Sequence, residues 1–574
     1  MRALKPFVEK QNRAGVHTAC KSWWKGIFCL LAALSVLAVA LHVQQMASAA
    51  QPEAAARPKL ILMISVDQMR ADYLTRFQDY YSGGLKWLSE NGVVFENGYQ
   101  NHAVTETGPG HSTLLSGMNP GHSGIVSNDW YDREHGTVVY CVQDDNAPII
   151  QDPKAEGRSP KNFKATTLGD WLKDLSVGSR VISISGKDRS AILMAGQTAD
   201  EVYWYNTSNG RFASSTYYLK KYPSWMEALN RKRIPAAYLG KTWDYLKPSE
   251  FYNQFGQDFV AEEDAPDPTF PHPIGGLSVS AGAAFYNAFT QTPFLDELIL
   301  TASQEAIRAN KLGMRGETDL LCVGLSATDI IGHAYGPWSH EIADQLLRLD
   351  QSLGSFLKFV DGQVGLRNSL IVLSADHGVL PLPEQLAARG TKSSRLRKQD
   401  ILLFQNLNAH LSQKFKFKEN WVTFYGSLNL YLNYPAVARH NLLRSDVENA
   451  IKEYLSGSPV VAAVYSRADL ELDSGERDGV LGLFRNSFDP DRSGDVFIQF
   501  KEFILPSFGR AGTSHISVYP YDRRVPIILY SPAWKQQRVS AEAHTTDIAP
   551  TLAQFLNLHS PEKLDGVSRL GLIK

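Results

Sequence analysis

Five short apolar runs constrain this chain more than any other feature, because most of them are followed by an acid within four residues. Leu60–Val66, 180–185, 320–325, Ser369–Ser374 and 525–530 are unbroken rather than alternating. That is the pattern of strands buried on both faces of a parallel sheet. Helical periodicity lies between many of them. Over 342–360, for example, Leu346, Leu347, Leu349, Leu353, Phe356 and Leu357 fall on one apolar face. Strands interleaved with helices predict an α/β fold with a central, mostly parallel sheet flanked by helices. Two stretches break the rhythm: about 196–300, rich in Tyr, Trp, Phe, Pro and Asn, and about 400–515, with short strands and turns. Both read as insertions that cap a site on one domain spanning 59–574.

The first 58 residues stand apart. A basic, polar stretch leads into an apolar run from Ile27 to Val43 and then Met46-Ala47-Ser48-Ala49-Ala50. This is the layout of a secretory signal peptide over 1–50, cut after Ala49 or Ala50, with 51–58 a short Ala/Pro-rich linker. A periplasmic or secreted protein is expected, with an uncut signal anchor as the alternative. No later segment is apolar and long enough to span a bilayer. A net charge of −1 and no long basic run in the mature part argue against a nucleic-acid-binding module. Cleavage would leave only Cys141 and Cys322, too few for a thiolate metal cluster. Their pairing is left open.

Chemistry is concentrated where strands end, the edge at which open α/β sheets bind ligands. Leu60–Val66 runs into Asp67. The 320–325 run leads to Asp329, with His333 four residues later, and Ser369–Ser374 leads to Asp376-His377. His544 stands near the C-terminus. Carboxylates and imidazoles are ligands that catalytic zinc accepts. Between these acids lies Thr107-Gly108-Pro109-Gly110-His111, a hydroxyl just ahead of a proline that suits a first helical position. A helix N-terminus there favours an alkoxide and an incoming phosphate. An ordinary N-cap threonine would use the same residues.

These motifs occur with Asp67-Gln68-Met69-Arg70, Ser127-Asn128-Asp129-Trp130-Tyr131-Asp132 and Gly186-Lys187-Asp188-Arg189. In that order they resemble the alkaline phosphatase superfamily, specifically its phosphate-irrepressible branch with a threonine nucleophile. The likeness runs from about Lys59 to the C-terminal region. It implies an alkaline-phosphatase-like fold and a phosphomonoesterase acting on small phosphate esters through a phosphothreonine at Thr107. It also implies two Zn2+ per chain. Asp329, His333 and His544 would hold one ion; Asp67, Asp376, His377 and Thr107 would hold the other. Asn128, Lys187 and Arg189 would contact phosphoryl oxygens. A phosphodiesterase or nucleotide pyrophosphatase on the same bimetallic core is the alternative. A secreted binding protein with a decayed site would have lost a ligand or the nucleophile, and none is missing.

Other polar residues carry less. His111 is expected to brace its loop, and His102, His122, His340 and His515 to be structural or surface groups. Asp489-Pro490-Asp491-Arg492-Ser493-Gly494-Asp495 resembles the start of a calcium loop, so an additional Ca2+ is a secondary expectation. Its twelfth position, however, is Phe500 and not Glu.

Overall fold

Leu60–Val66 forms strand β1, and the alternation of its side chains explains the unbroken apolar run. Leu60, Leu62, Ile64 and Val66 enter one core, whereas Ile61 and Met63 enter another on the opposite face. Both faces of the strand are dry, so polar residues have no place on it. The computed structural model describes residues 57–256, 269–276, 278–472, 479–507, 509 and 511–574. The expected signal peptide, its cleavage site and most of the linker lie outside the described residues.

The remaining strands of the main sheet are β2 (Val93–Tyr99), β3 (Val181–Ser185), β4 (Glu201–Asn206), β5 (Arg211–Ala213), β6 (Asp319–Leu325), β7 (Ser369–Ser374), β8 (Ile527–Tyr530) and β9 (Gln537–His544). Their order is β9-β2-β8-β7-β1-β6-β3-β4-β5. β1 is central, with Ile64 facing Val323 of β6 on one side and Leu373 of β7 on the other. β8 is antiparallel to both neighbours and β5 to β4; the other pairings are parallel. The expected mixed, mostly parallel α/β sheet is therefore present. One expectation is corrected: the 525–530 run is an antiparallel strand. Burial on both faces removes polar residues whichever way a strand points.

Five helices matter for the site: α1 (Thr107–Ser116), α2 (Asp188–Ala195), α3 (Phe294–Asn310), α4 (Ala327–Tyr335) and α5 (His340–Gln363). Leu346, Leu349, Leu353 and Phe356 of α5 pack with the Leu60 face of the sheet, each burial contributing about 1.5–3 kcal/mol. α1 is buried along its whole length, which requires small residues. A Cβ on Gly110 would lie 2.2 Å from the Asp376 carbonyl oxygen, so only glycine lets α1 approach that strand end.

The two irregular stretches differ. Within 196–300, β4 and β5 extend the main sheet, and Trp243, Tyr252, Phe285 and Phe289 join the core beneath α3 and α5. Its aromatic richness is packing. The 400–515 stretch builds a separate antiparallel sheet from Val422–Gly426, Asn429–Leu432, Val496–Phe500 and Val461–Ser466, with its own core around Trp421, Ile451, Phe484 and Phe497. Cys141 and Cys322 are both free and buried. Among the described residues, no helix is long and apolar enough to cross a membrane.

Candidate active site and metal centre

Adjacent parallel strands β7, β1, β6 and β3 deliver their following residues to one edge: Asp376 and His377, Asp67, Asp329 in the first turn of α4, and Lys187. β2 points the same way, and the chain beyond it turns into α1. Thr107 is therefore the first residue of a helix that starts on that edge.

Two groups of ligand-type side chains form there, Asp67 with Asp376 and His377, and Asp329 with His333 and His515. Within each group the ligand atoms lie within 4.8 Å of one another. The three imidazoles share one arrangement. His333 Nδ1 faces the Thr513 carbonyl at 2.8 Å, His377 Nδ1 that of Gly378 at 3.0 Å, and His515 Nδ1 that of Thr105 at 2.6 Å. Each Nδ1–H donates to a backbone oxygen, which leaves the Nε2 lone pair aimed at the carboxylates. That tautomer is the one a metal-binding histidine needs. Burial, followed by the neighbouring His377 and His333, holds the His515 imidazole well below its ordinary pKa and therefore neutral.

The carboxylates point the same way. Neither oxygen of Asp67 has an aligned hydrogen-bond donor, although Lys187 Nζ lies 2.6 Å from Oδ2. Asp376 Oδ2 and His377 Nε2 likewise have no aligned hydrogen-bond partner, although Oδ2 lies 3.1 Å from His111 Nδ1 and 3.3 Å from His377 Nε2. Burial and then the Asp329 and Asp376 charges push the Asp67 carboxyl well above its usual range. Three buried acids with oxygens that lack an aligned donor or share one cation, beside imidazole lone pairs, are a donor set suited to divalent cations. The residues present fit two metal ions.

His544, expected beside Asp329 and His333, is not brought to them. It does end a parallel strand, but β9 is the sheet's edge, four strand positions from β1, or roughly 19 Å at ~4.8 Å per strand. Its Nε2 instead faces Glu542 at 3.1 Å. His515 supplies the third side chain, because the loop leading into antiparallel β8 starts from the same edge. Gln68 was also missed. In a left-handed conformation with φ of 65°, it donates its backbone N–H to Asp376 Oδ1 at 3.0 Å and its amide to Asp329 Oδ1 at 2.7 Å, tying the two groups together. Its side-chain role depends on that backbone twist, for which the sequence carries no signal.

Thr107 is separated from Thr105 by its surroundings. The Thr105 hydroxyl accepts from Ser517 N–H at 3.0 Å and donates to Ser517 O at 3.2 Å, so it is committed to structure. Thr107 Oγ1 instead faces Arg189 Nη2 at 3.2 Å and Lys187 Nζ at 3.4 Å. Burial pulls the Lys187 ammonium down, but the Asp329 and Asp67 carboxylates outweigh it and raise its pKa. Lys187 is thus a fixed cation and no base. Asn128 Oδ1 accepts from Gly108 N–H at 2.8 Å, and Asn128 N–H donates to Glu106 Oε2 at 2.6 Å, leaving the donor end of the amide available. His111 braces the loop as expected. Its Nδ1 is 2.9 Å from Thr107 O and its Nε2 3.0 Å from Ser65 Oγ.

The model of the type I phosphodiesterase / nucleotide pyrophosphatase family matches residues 61–503. The chain belongs to this family. Family relatives include alkaline phosphatase PafA of Elizabethkingia meningoseptica, 33% identical over 91% of this chain and 95% of that one. Alkaline phosphatase PhoV of Synechococcus elongatus is 32% identical over 91% and 94%. The 1.7 Å crystal structure of PafA superposes with a TM-score of 0.84, covering 90% of this chain and 98% of that one. The family fold and enzyme class expected from the sequence are borne out: this is a metal-dependent phosphoester hydrolase of the alkaline phosphatase superfamily, with small phosphate esters as substrates.

In the stretch that resembles the start of a calcium loop, two of the acids face cations of the chain itself. Asp489 faces Lys164 Nζ at 2.5 Å, and Asp495 accepts from Arg133 Nη2 at 2.9 Å and from Leu432 N–H at 2.8 Å. Lys164, also 3.8 Å from Asp491, and Arg133 thus supply positive charge beside the acids of this stretch.

Proposed function

We propose that this enzyme is an exported phosphomonoesterase holding two Zn2+ ions, with Thr107 as its nucleophile. The observation that carries the reading is the approach of two fixed cations, Lys187 and Arg189, to the Thr107 hydroxyl beside two metal-type ligand groups. Asp67, Asp376 and His377 would hold one ion with Thr107; Asp329, His333 and His515 would hold the other. When bound, such a pair supplies Lewis-acid stabilisation of the attacking and leaving oxygens.

Thr107 Oγ1 attacks phosphorus in line with the ester oxygen, forming a phosphothreonine as the alcohol leaves; water then hydrolyses the phosphothreonine. The N-terminus of α1 favours the incoming anion. A monoester presents three non-bridging oxygens and a charge near −2. Lys187, Arg189 and the Asn128 amide can meet the charge that spreads over them in the transition state. A diester has one of those oxygens masked by a bulky group and gains less from the cations. The names of the alkaline phosphatase relatives support the monoester reading. The family description, which names phosphodiesterases, keeps the diesterase reading as the alternative.

Paired kinetics on an aryl monoester and an aryl diester test the choice. Wild-type enzyme should favour the monoester. Lys187→Ala should lower monoester kcat/KM by about 10²–10³ and diester kcat/KM much less. A wild-type enzyme faster on diesters would replace this reading with the alternative. Export is tested separately by N-terminal sequencing of the mature protein, which should begin at Ala50 or Gln51. Recovery of intact Met1 from the cytoplasm would rule export out.

A further inference from the structure

Arg189 is held by an unusual partner for a buried cation. Its Nη2 reaches Thr107 Oγ1 at 3.2 Å and its Nη1 the Tyr140 hydroxyl at 3.2 Å. Among the described residues, no carboxylate pairs directly with the guanidinium. The nearest acid in sequence, Asp188, turns its side chain elsewhere. Asp188 Oδ1 accepts the Tyr140 O–H at 2.5 Å and the Arg189 backbone N–H at 2.7 Å, and its Oδ2 accepts from Arg158 Nε at 2.8 Å. The Arg158 guanidinium also lies 4.8 Å over the Tyr140 ring, a favourable cation–π placement.

These bonds fix a direction. Because the single Tyr140 proton goes to Asp188, only the lone pairs of the hydroxyl face Arg189, and Tyr140 must accept. Asp188 in turn has its charge met by Arg158 on the far side. A carboxylate paired directly with Arg189 would neutralise the cation in a buried site, where such pairs are strong. A neutral hydroxyl orients it and leaves its charge for an anion. Tyr140 sits opposite Asp129 in a β-hairpin of Asp129–Asp132 and Thr137–Tyr140, and Cys141 N–H donates to Asn128 O at 2.8 Å. The same hairpin therefore fixes both Asn128 and Arg189.

We propose that Tyr140, anchored by Asp188 and Arg158, is a positioning residue that aims the Arg189 guanidinium at the phosphoryl group and so contributes to selectivity for doubly charged phosphates. The inference rests on the monoesterase reading of the site. Tyr140→Phe keeps the ring and removes the hydroxyl. It should lower aryl monoester kcat/KM by about tenfold, since a misaimed group costs less than a deleted one. Competitive inhibition by inorganic phosphate should weaken by a similar factor, while aryl diester kcat/KM changes less than about twofold and thermal unfolding is unchanged. Asp188→Asn, which keeps one acceptor oxygen, should show the same pattern with a smaller loss. An equal loss on monoester and diester, or unchanged phosphate inhibition in both variants, would overturn the proposal. A wild-type enzyme that prefers diesters would instead overturn the reading on which it rests, so the two failures are distinguishable.

Discussion

Thr107→Ala should cut monoester turnover by about 10⁴ or more, the scale seen when a covalent nucleophile is removed. It should also abolish the phosphoenzyme trapped at low pH from wild-type enzyme. Thr107 is the first residue of a helix, whose dipole favours an anion at that end, and two cations stand within 3.4 Å of its hydroxyl. Thr105, two residues away, has both hydrogen-bonding capacities of its hydroxyl engaged by Ser517, so it cannot substitute. The fold should survive the change, because Oγ1 makes no contact outside the site. Thr107→Ser keeps the hydroxyl and should stay within about tenfold of wild type. A labelled phosphopeptide mapping to Thr105 would contradict the assignment.

His515→Ala should lose monoester activity by on the order of 10²-fold or more. Removing a metal ligand forfeits several kcal/mol of transition-state charge stabilisation, at ~1.4 kcal/mol per decade. His544→Ala should be near wild type, because His544 faces Glu542 on the edge strand. The contrast is informative because the family resemblance implied His544, whereas the structure groups His515 with Asp329 and His333. If His544→Ala lost activity and His515→Ala kept it, the arrangement of the second ligand group would be wrong.

Those two histidines also mark where sequence reasoning stopped. A central parallel strand announces itself by an unbroken apolar run, and the residue after it lands on the functional edge. Asp67, Asp329, Asp376 and His377 were legible for that reason. His544 came from the family resemblance and not from that rule; β9 is parallel and does end there, but it lies at the sheet's edge. His515 precedes an antiparallel strand, whose beginning lies at the edge where parallel strands finish. The run over 525–530 hid that direction. Gln68 and Tyr140 were illegible for another reason. One depends on a left-handed backbone, and the other on a hairpin that brings its hydroxyl to Asp188 and Arg189. Neither arrangement leaves a periodic trace.

The central claim is that hydrolysis depends on two divalent ions held by two preformed ligand groups, Asp67, Asp376 and His377, and Asp329, His333 and His515. Metal analysis of the purified enzyme, with monoester activity measured on the same samples, tests it most directly. Active enzyme should contain about two divalent ions per chain, as a bimetallic displacement requires. Exhaustive chelation should remove both the ions and the activity, and added Zn2+ should restore them together. Full activity in chelated, metal-free protein would contradict the account.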